Sequence, residues 1–177
     1  RYPVSKLRVG LIGANVGYGW SPIAHLPALA ELPEFELAAV CTAHEDTARE
    51  SAAKYGARLA FHDHREMLAR DDIDIVGIVV RVPNHHQLTM DALEAGKHVY
   101  TEWPLGANLR EAEEMAALAR TKGVHTMTGL QSRCWPDILR LKELVDEGYL
   151  GDVLAVNLSA FFSGILSRTS ARTWQKD

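Results

Sequence analysis

Four short segments of this chain carry residue types whose spacing could do chemistry. An apolar run ending at Ile12 leads straight into Gly13-Ala14-Asn15-Val16-Gly17-Tyr18-Gly19-Trp20-Ser21-Pro22. Glycines in the turn after a first strand let the main chain approach an anion, and a following helix attracts its charge. The loop carrying Gly13 and Gly19 is therefore a candidate phosphate site. Asn15 stands where G-x-G-x-x-G has its second glycine, and a merely tight turn is the other reading of the same residues. Arg81-Val82-Pro83-Asn84-His85-His86 follows the most continuous apolar run, placing Val82, Pro83 and His85 where parallel strands end and ligands bind. Solvated imidazole at a helix start is the alternative for His85 and His86. Glu102 and Trp103 fall at the end of another strand, where the indole could stack on a ring or simply pack. A tryptophan neither gives a proton to a substrate hydroxyl at neutral pH nor takes one from it. Cys41-Thr42-Ala43-His44 closes the second strand without the acid that commonly binds a ribose, leaving Thr42 as the candidate contact there.

Strand and helix patterns must position these segments. β-branched apolar runs at Leu7 to Ile12, Glu36 to Cys41, Arg58 to Phe61, Ile73 to Val80, His98 to Thr101 and Val124 to Leu130 alternate with helical stretches. Such alternation is the mark of βαβ units, so an α/β doubly wound parallel sheet of the Rossmann type is expected. Asn84 with Gln87, and Asn108 with Glu111, have capping-box spacing, while Gly56, Gly96, Gly123 and Gly148 stand where helices close. Pro27 requires the helix after the glycine loop to bend there or to begin later than Pro22 suggests. Beyond Leu130 the rhythm changes. A helix is expected from Pro136 to Glu147, then a strand from Val153 to Phe162 with no sequence-adjacent partner, then an aperiodic tail from Ser163.

Ala95-Gly96-Lys97-His98-Val99 leading to Glu102-Trp103-Pro104 resembles the signature of the Gfo/Idh/MocA family of nicotinamide-dependent sugar and cyclitol dehydrogenases. In that family A-G-K-H-V leads into E-K-P and the lysine serves catalysis; here the lysine position is Trp103. Lys97 cannot substitute, because about six residues at about 3.3 Å each put it roughly 20 Å away at the other end of the strand. Gly13, Asn15, Gly19, Trp20 and His25 resemble the loop of a regulatory branch of the family, that of the galactose-regulon repressor. His25 is otherwise a near-surface helix residue. Gly129-Leu130-Gln131-Ser132-Arg133 resembles the family's crossover into its second domain, with Gln131 and Arg133 as site candidates.

The resemblance implies NAD or NADP as cofactor, contacted by Gly13, Asn15, Gly19, Trp20, Thr42, Val82, Pro83, His85, Glu102, Trp103 and Gln131. No catalytic residue is assigned. It implies a dinucleotide-binding domain over residues 1–130 and, over 131–177, the start of a truncated α+β substrate and oligomerisation domain. The substrate expected is a small-molecule sugar, sugar derivative or cyclitol, a polyol in the wider sense, with a homo-oligomer formed through the missing part. A non-catalytic, dinucleotide-sensing regulator with a protein partner is the alternative.

The bulk composition is compatible with either. With 177 residues and a net charge of −4, acids and bases interspersed, the chain has no basic footprint for nucleic acid. No apolar run is long enough to span a bilayer and no secretory signal is evident, so a cytoplasmic protein with no membrane partner is expected. The 2 cysteines, Cys41 and Cys134, form no disulfide framework. His62/His64 and His85/His86 lack the cysteine or carboxylate company of a zinc site, so no metal is expected.

Overall fold

A computed structural model describes residues 5–159. Its strands are β1 (Leu7–Ile12), β2 (Phe35–Cys41), β3 (Leu59–Phe61), β4 (Ile75–Ile78), β5 (His98–Glu102) and β6 (Thr126–Gly129). All are parallel and ordered β3-β2-β1-β4-β5-β6, so the expected doubly wound sheet is present, with its order reversing between β1 and β4. The helices are α1 (Leu26–Glu31), α2 (Glu45–Tyr55), α3 (His64–Leu68), α4 (His85–Glu94), α5 (Leu109–Lys122) and α6 (Pro136–Asp146). Among the described residues no helix is long and apolar enough to cross a membrane.

The core explains why these segments pair. Val76 and Ile78, on one face of β4, are fully buried in a cluster with Ile73, Leu93 of α4 and Met115 of α5. β4 is shorter than its apolar run, yet Asp74 N–H still donates to Arg8 and Val79 N–H to Ile12, so main-chain pairing continues past both ends.

The lower edge of the sheet is clamped by charge. Arg8 holds Asp74 through Nε at 2.9 Å and through its terminal nitrogen at 2.6 Å, and its guanidinium keeps that carboxyl down at about 2. Lys97 Nζ donates to the carbonyls of Arg70 and Ile73 at 2.6 and 3.0 Å, placing it at the strand end away from Glu102.

Helix ends follow the sequence in most places. Asn108 Oδ1 accepts from Glu111 N–H at 3.1 Å, and Gly123 takes the left-handed conformation that ends α5. At Asn84 the expected capping box is absent. A 3₁₀ turn over Val82–Asn84 precedes α4, Asn84 is already helical, and Gln87 donates to Asp91 instead. The described part of the expected last strand, residues 153–159, forms no regular element, since a strand without a neighbour leaves its main-chain groups to water. Its remainder and the tail lie outside the described residues.

The chain divides into two compact units, Arg1–Gln131 and Ser132–Asp177. In the second, α6 opens with Pro136 at its first position.

Candidate functional site

The glycine loop leaves the upper end of β1 and is shaped by its own side chains. Gly13 has φ +87°, and a Cβ there would stand 2.2 Å from the Val79 carbonyl oxygen, so only glycine lets the loop lie against the end of β4. The buried Ser21 donates to the Gly13 carbonyl at 2.6 Å. Asn15 Oδ1 accepts from the amides of Gly17 and Tyr18 at 2.8 and 3.2 Å. The residue in place of the second glycine therefore folds the loop from within. Among the described residues the amides of Gly19 and Trp20 donate to no protein acceptor, and Gly19 has φ +83° with open space where a Cβ would be. Unpaired amides in a glycine turn beside a strand end fit a dinucleotide phosphate.

Pro27 resolves in an unexpected way. The chain after the loop forms a π-helical turn over Ser21–His25, with Leu26 N–H donating to Ser21, and becomes α-helical at Leu26. Pro27 then enters within the first turn of the α-helix, where its missing N–H costs little. The turn delivers His25 toward β5.

There His25 Nε2 meets Glu102 Oε1 at 2.8 Å. Tyr100 hydroxyl donates to the same oxygen at 3.0 Å, while Trp103 N–H and Gln131 Nε2 lie 3.3 and 3.4 Å from Oε2. The His25 and Tyr100 rings also pack edge to face at 5.4 Å. Glu102 is only 5% exposed. Burial pushes its carboxyl up, but the hydrogen bonds from His25 and Tyr100 outweigh this and hold it below the ordinary glutamate range.

Other expected contacts are placed differently. Trp103 is 58% exposed on the rim and joined to Pro104 by a cis peptide bond. Val82 is half-buried and Pro83 exposed in the 3₁₀ turn. His85 is buried, with Nδ1 2.8 Å from the Pro104 carbonyl and Nε2 3.0 Å from that of Val80, so its ring staples two strand-end loops together. Thr42 Oγ1 donates to the His44 carbonyl at 2.9 Å and meets Thr47 Oγ1 at 2.7 Å, which closes the start of α2.

Gly13, Asn15, Gly19 and Trp20 thus share one loop, and Glu102, Trp103 and Gln131 share one cluster. Thr42 and His85 turn their polar atoms to the main chain. Sequence reading gave Tyr100 no role, although it lies two residues before Glu102 on the same face of β5. Gly129, paired with Glu102 in register, belongs to the crossover segment, but its place beside the carboxylate could not be read from the sequence.

Comparison with known proteins agrees with this geometry. The family model described as an oxidoreductase family with an NAD-binding Rossmann fold matches residues 7–130. The dehydrogenase aclE of Aspergillus oryzae is 38% identical over 160 residues, covering 86% of this chain and 43% of that protein. The galactose/lactose metabolism regulatory protein GAL80 of Saccharomyces cerevisiae is 32% identical over 164 residues, covering 88% and 38%. A crystal structure of KijD10, a 3-ketoreductase from Actinomadura kijaniata in complex with TDP-benzene and NADP, aligns with a TM-score of 0.74 and 30% identity, over 81% of this chain and 44% of that one. The chain spans about two fifths of the length of these curated relatives. Sheet order, glycine loop and family match together place the chain in the Gfo/Idh/MocA oxidoreductase family, with residues 7–130 matching its NAD-binding Rossmann fold.

Proposed function

We propose that this chain is the dinucleotide half of an oxidoreductase that moves a hydride between nicotinamide and a ring carbon of a sugar, sugar derivative or cyclitol. Residues 1–130 would hold NAD or NADP, and residues 131–177 would begin the α+β domain that completes the substrate site and the homo-oligomer. Bound dinucleotide supplies the hydride chemistry. The loop of Gly13, Asn15, Gly19 and Trp20 binds its pyrophosphate, Val82 and Pro83 line its path along the strand ends, and Glu102 and Gln131 orient its nicotinamide half. The observation that carries this reading is the buried Glu102 carboxylate, fixed by His25, Tyr100, Trp103 and Gln131 on the rim that also bears the glycine loop.

A second reading is favoured by one specific residue. The exposed Trp103 stands at the family's lysine position and offers no group to move a substrate proton, which suits a regulator that binds dinucleotide and recruits a protein.

Titrating the full-length protein with NAD, NADH, NADP and NADPH tests what the two readings share. Saturable binding supports them, and none at all defeats both. Nicotinamide absorbance followed against a sugar and cyclitol panel separates them, because substrate-dependent reduction eliminates the regulator and its absence eliminates the enzyme.

A further inference from the structure

The Glu102 cluster has a charge balance that its geometry fixes. Two side-chain groups, His25 and Tyr100, donate to Oε1, and two more donors lie at Oε2. Four donors around two oxygens leave no lone pair better served by a proton, so the group is built to stay a carboxylate. Gly129 makes the room for it, since a Cβ there would stand 2.8 Å from Oε1 and 2.5 Å from the Tyr100 hydroxyl. Among the described residues no lysine or arginine pairs with Glu102, and His25 is the one basic side chain in contact with it. The carboxylate is thus the anionic member of a buried cluster.

Its place in the sheet says which part of a ligand meets that charge. Glu102 ends β5, on the β4-β5-β6 side of the order reversal, and a dinucleotide lies across that reversal with one mononucleotide over each half. The glycine loop ends β1, next to β2 and β3, so the adenylate half belongs there and the nicotinamide half beside Glu102. Oxidised nicotinamide is a cation and reduced nicotinamide is neutral. A fixed anion in a water-poor site acts strongly on the first and weakly on the second.

Resting on the dinucleotide-binding reading above, we propose that Glu102, held ionised by His25 and Tyr100, is a redox-state selector that makes the protein bind oxidised dinucleotide in preference to reduced. His25 and Tyr100 are positioning residues that keep the carboxylate aimed and unprotonated.

The test uses the full-length protein and compares dissociation constants for the oxidised and reduced forms of whichever dinucleotide it prefers, with ADP-ribose or its 2′-phosphate as a probe lacking nicotinamide. The expected ratio favours the oxidised form by about tenfold or more. Glu102→Gln should bring the ratio close to one while leaving the ADP-ribose probe unchanged, whereas Tyr100→Phe, which keeps the carboxylate but removes one of its donors, should weaken the preference without abolishing it. Carbon-13 NMR of the Glu102 carboxyl provides a readout without cofactor and without a substitution: the group should titrate below the ordinary glutamate range. Equal affinities in the wild type, a preference that survives Glu102→Gln, or a carboxyl that titrates within or above the ordinary glutamate range each overturn the proposal. If every nucleotide including the probe fails to bind, the functional reading falls and this one with it. Good binding without redox preference removes this one alone.

Discussion

Gly129 faces Glu102 across the β5-β6 register, and it is the missing side chain of the first that gives the carboxylate of the second its room. Gly129→Ala would drive a methyl group into the Tyr100 hydroxyl and Glu102 Oε1. We expect stability to fall by about 1–3 kcal/mol, as for other overpacked sites, and dinucleotide affinity to fall with it. Urea unfolding and calorimetric titration measure the two. An alanine variant with wild-type affinity would mean that the Tyr100-Glu102 bond is dispensable.

At the glycine loop, Gly13→Ala combines a forbidden backbone angle with a contact against the Val79 carbonyl. Backbone strain alone costs about 1–3 kcal/mol. The loop should shift off the end of β4, and nucleotide binding should be lost even where the protein remains folded by circular dichroism. Gly56→Ala, at a left-handed position with open space around it, serves as the comparison, with loss of stability but retained binding.

His25→Leu removes a donor to a buried anion, a change worth about 1.5–3 kcal/mol for hydrogen bonds to charged groups. The Glu102 carboxyl lies below its ordinary value in the folded protein, so its stabilising contribution is present above the ordinary glutamate range and disappears as pH falls through the folded value. His25→Leu should raise that carboxyl toward the ordinary range and shift the acid-side loss of stability upward. Denaturation curves from neutral to acidic pH would show an unchanged profile if the bond does not form in solution.

Acid unfolding should also depend on the lower edge. Asp74 drops from 3.8 to about 2 chiefly through its hydrogen bond from Arg8, so the pair stabilises the fold above about pH 4, and this is lost between there and about pH 2. After discounting for partial exposure the effect is on the order of 1 kcal/mol. Asp72, hydrogen-bonded by Arg70 and then by Arg58, shifts in the same direction. Asp74→Asn should flatten the profile in that window, and a profile identical to the wild type would refute the assignment.

The two cysteines should differ sharply toward a thiol reagent. Burial, helped by Asp63 and Glu66, pushes the Cys41 thiol up to about 12, whereas Cys134 is exposed. Under native conditions at mildly alkaline pH one thiol should react promptly, and the second only after denaturant is added. Prompt reaction of both would contradict the burial of Cys41.

The order of elements, the glycine loop and the strand-end positions of Glu102 and Trp103 were legible because each rests on local signals: β-branched runs, glycines after a strand, a short signature. What the sequence concealed depends on contacts between distant segments. His25 and Glu102 are 77 positions apart and meet only because a π-helical turn sets the first against the end of the second's strand. His85 has a ligand-like address, yet two carbonyls that no spacing could foresee claim its ring. The Asn84 capping box failed for a local reason, a 3₁₀ turn that satisfies the helix start by main chain alone.

Lys97 gives the signature segment a different aspect. Its ammonium ties the carbonyls of Arg70 and Ile73 at the bottom of the sheet, while Glu102, five residues on, ends the strand at the top. One short strand therefore carries two separable devices, a fastening below and a chemical instrument above. A chain can exchange the instrument, tryptophan for lysine, and keep the fastening whole, so recognising this strand in a protein identifies its architecture well before it identifies a reaction.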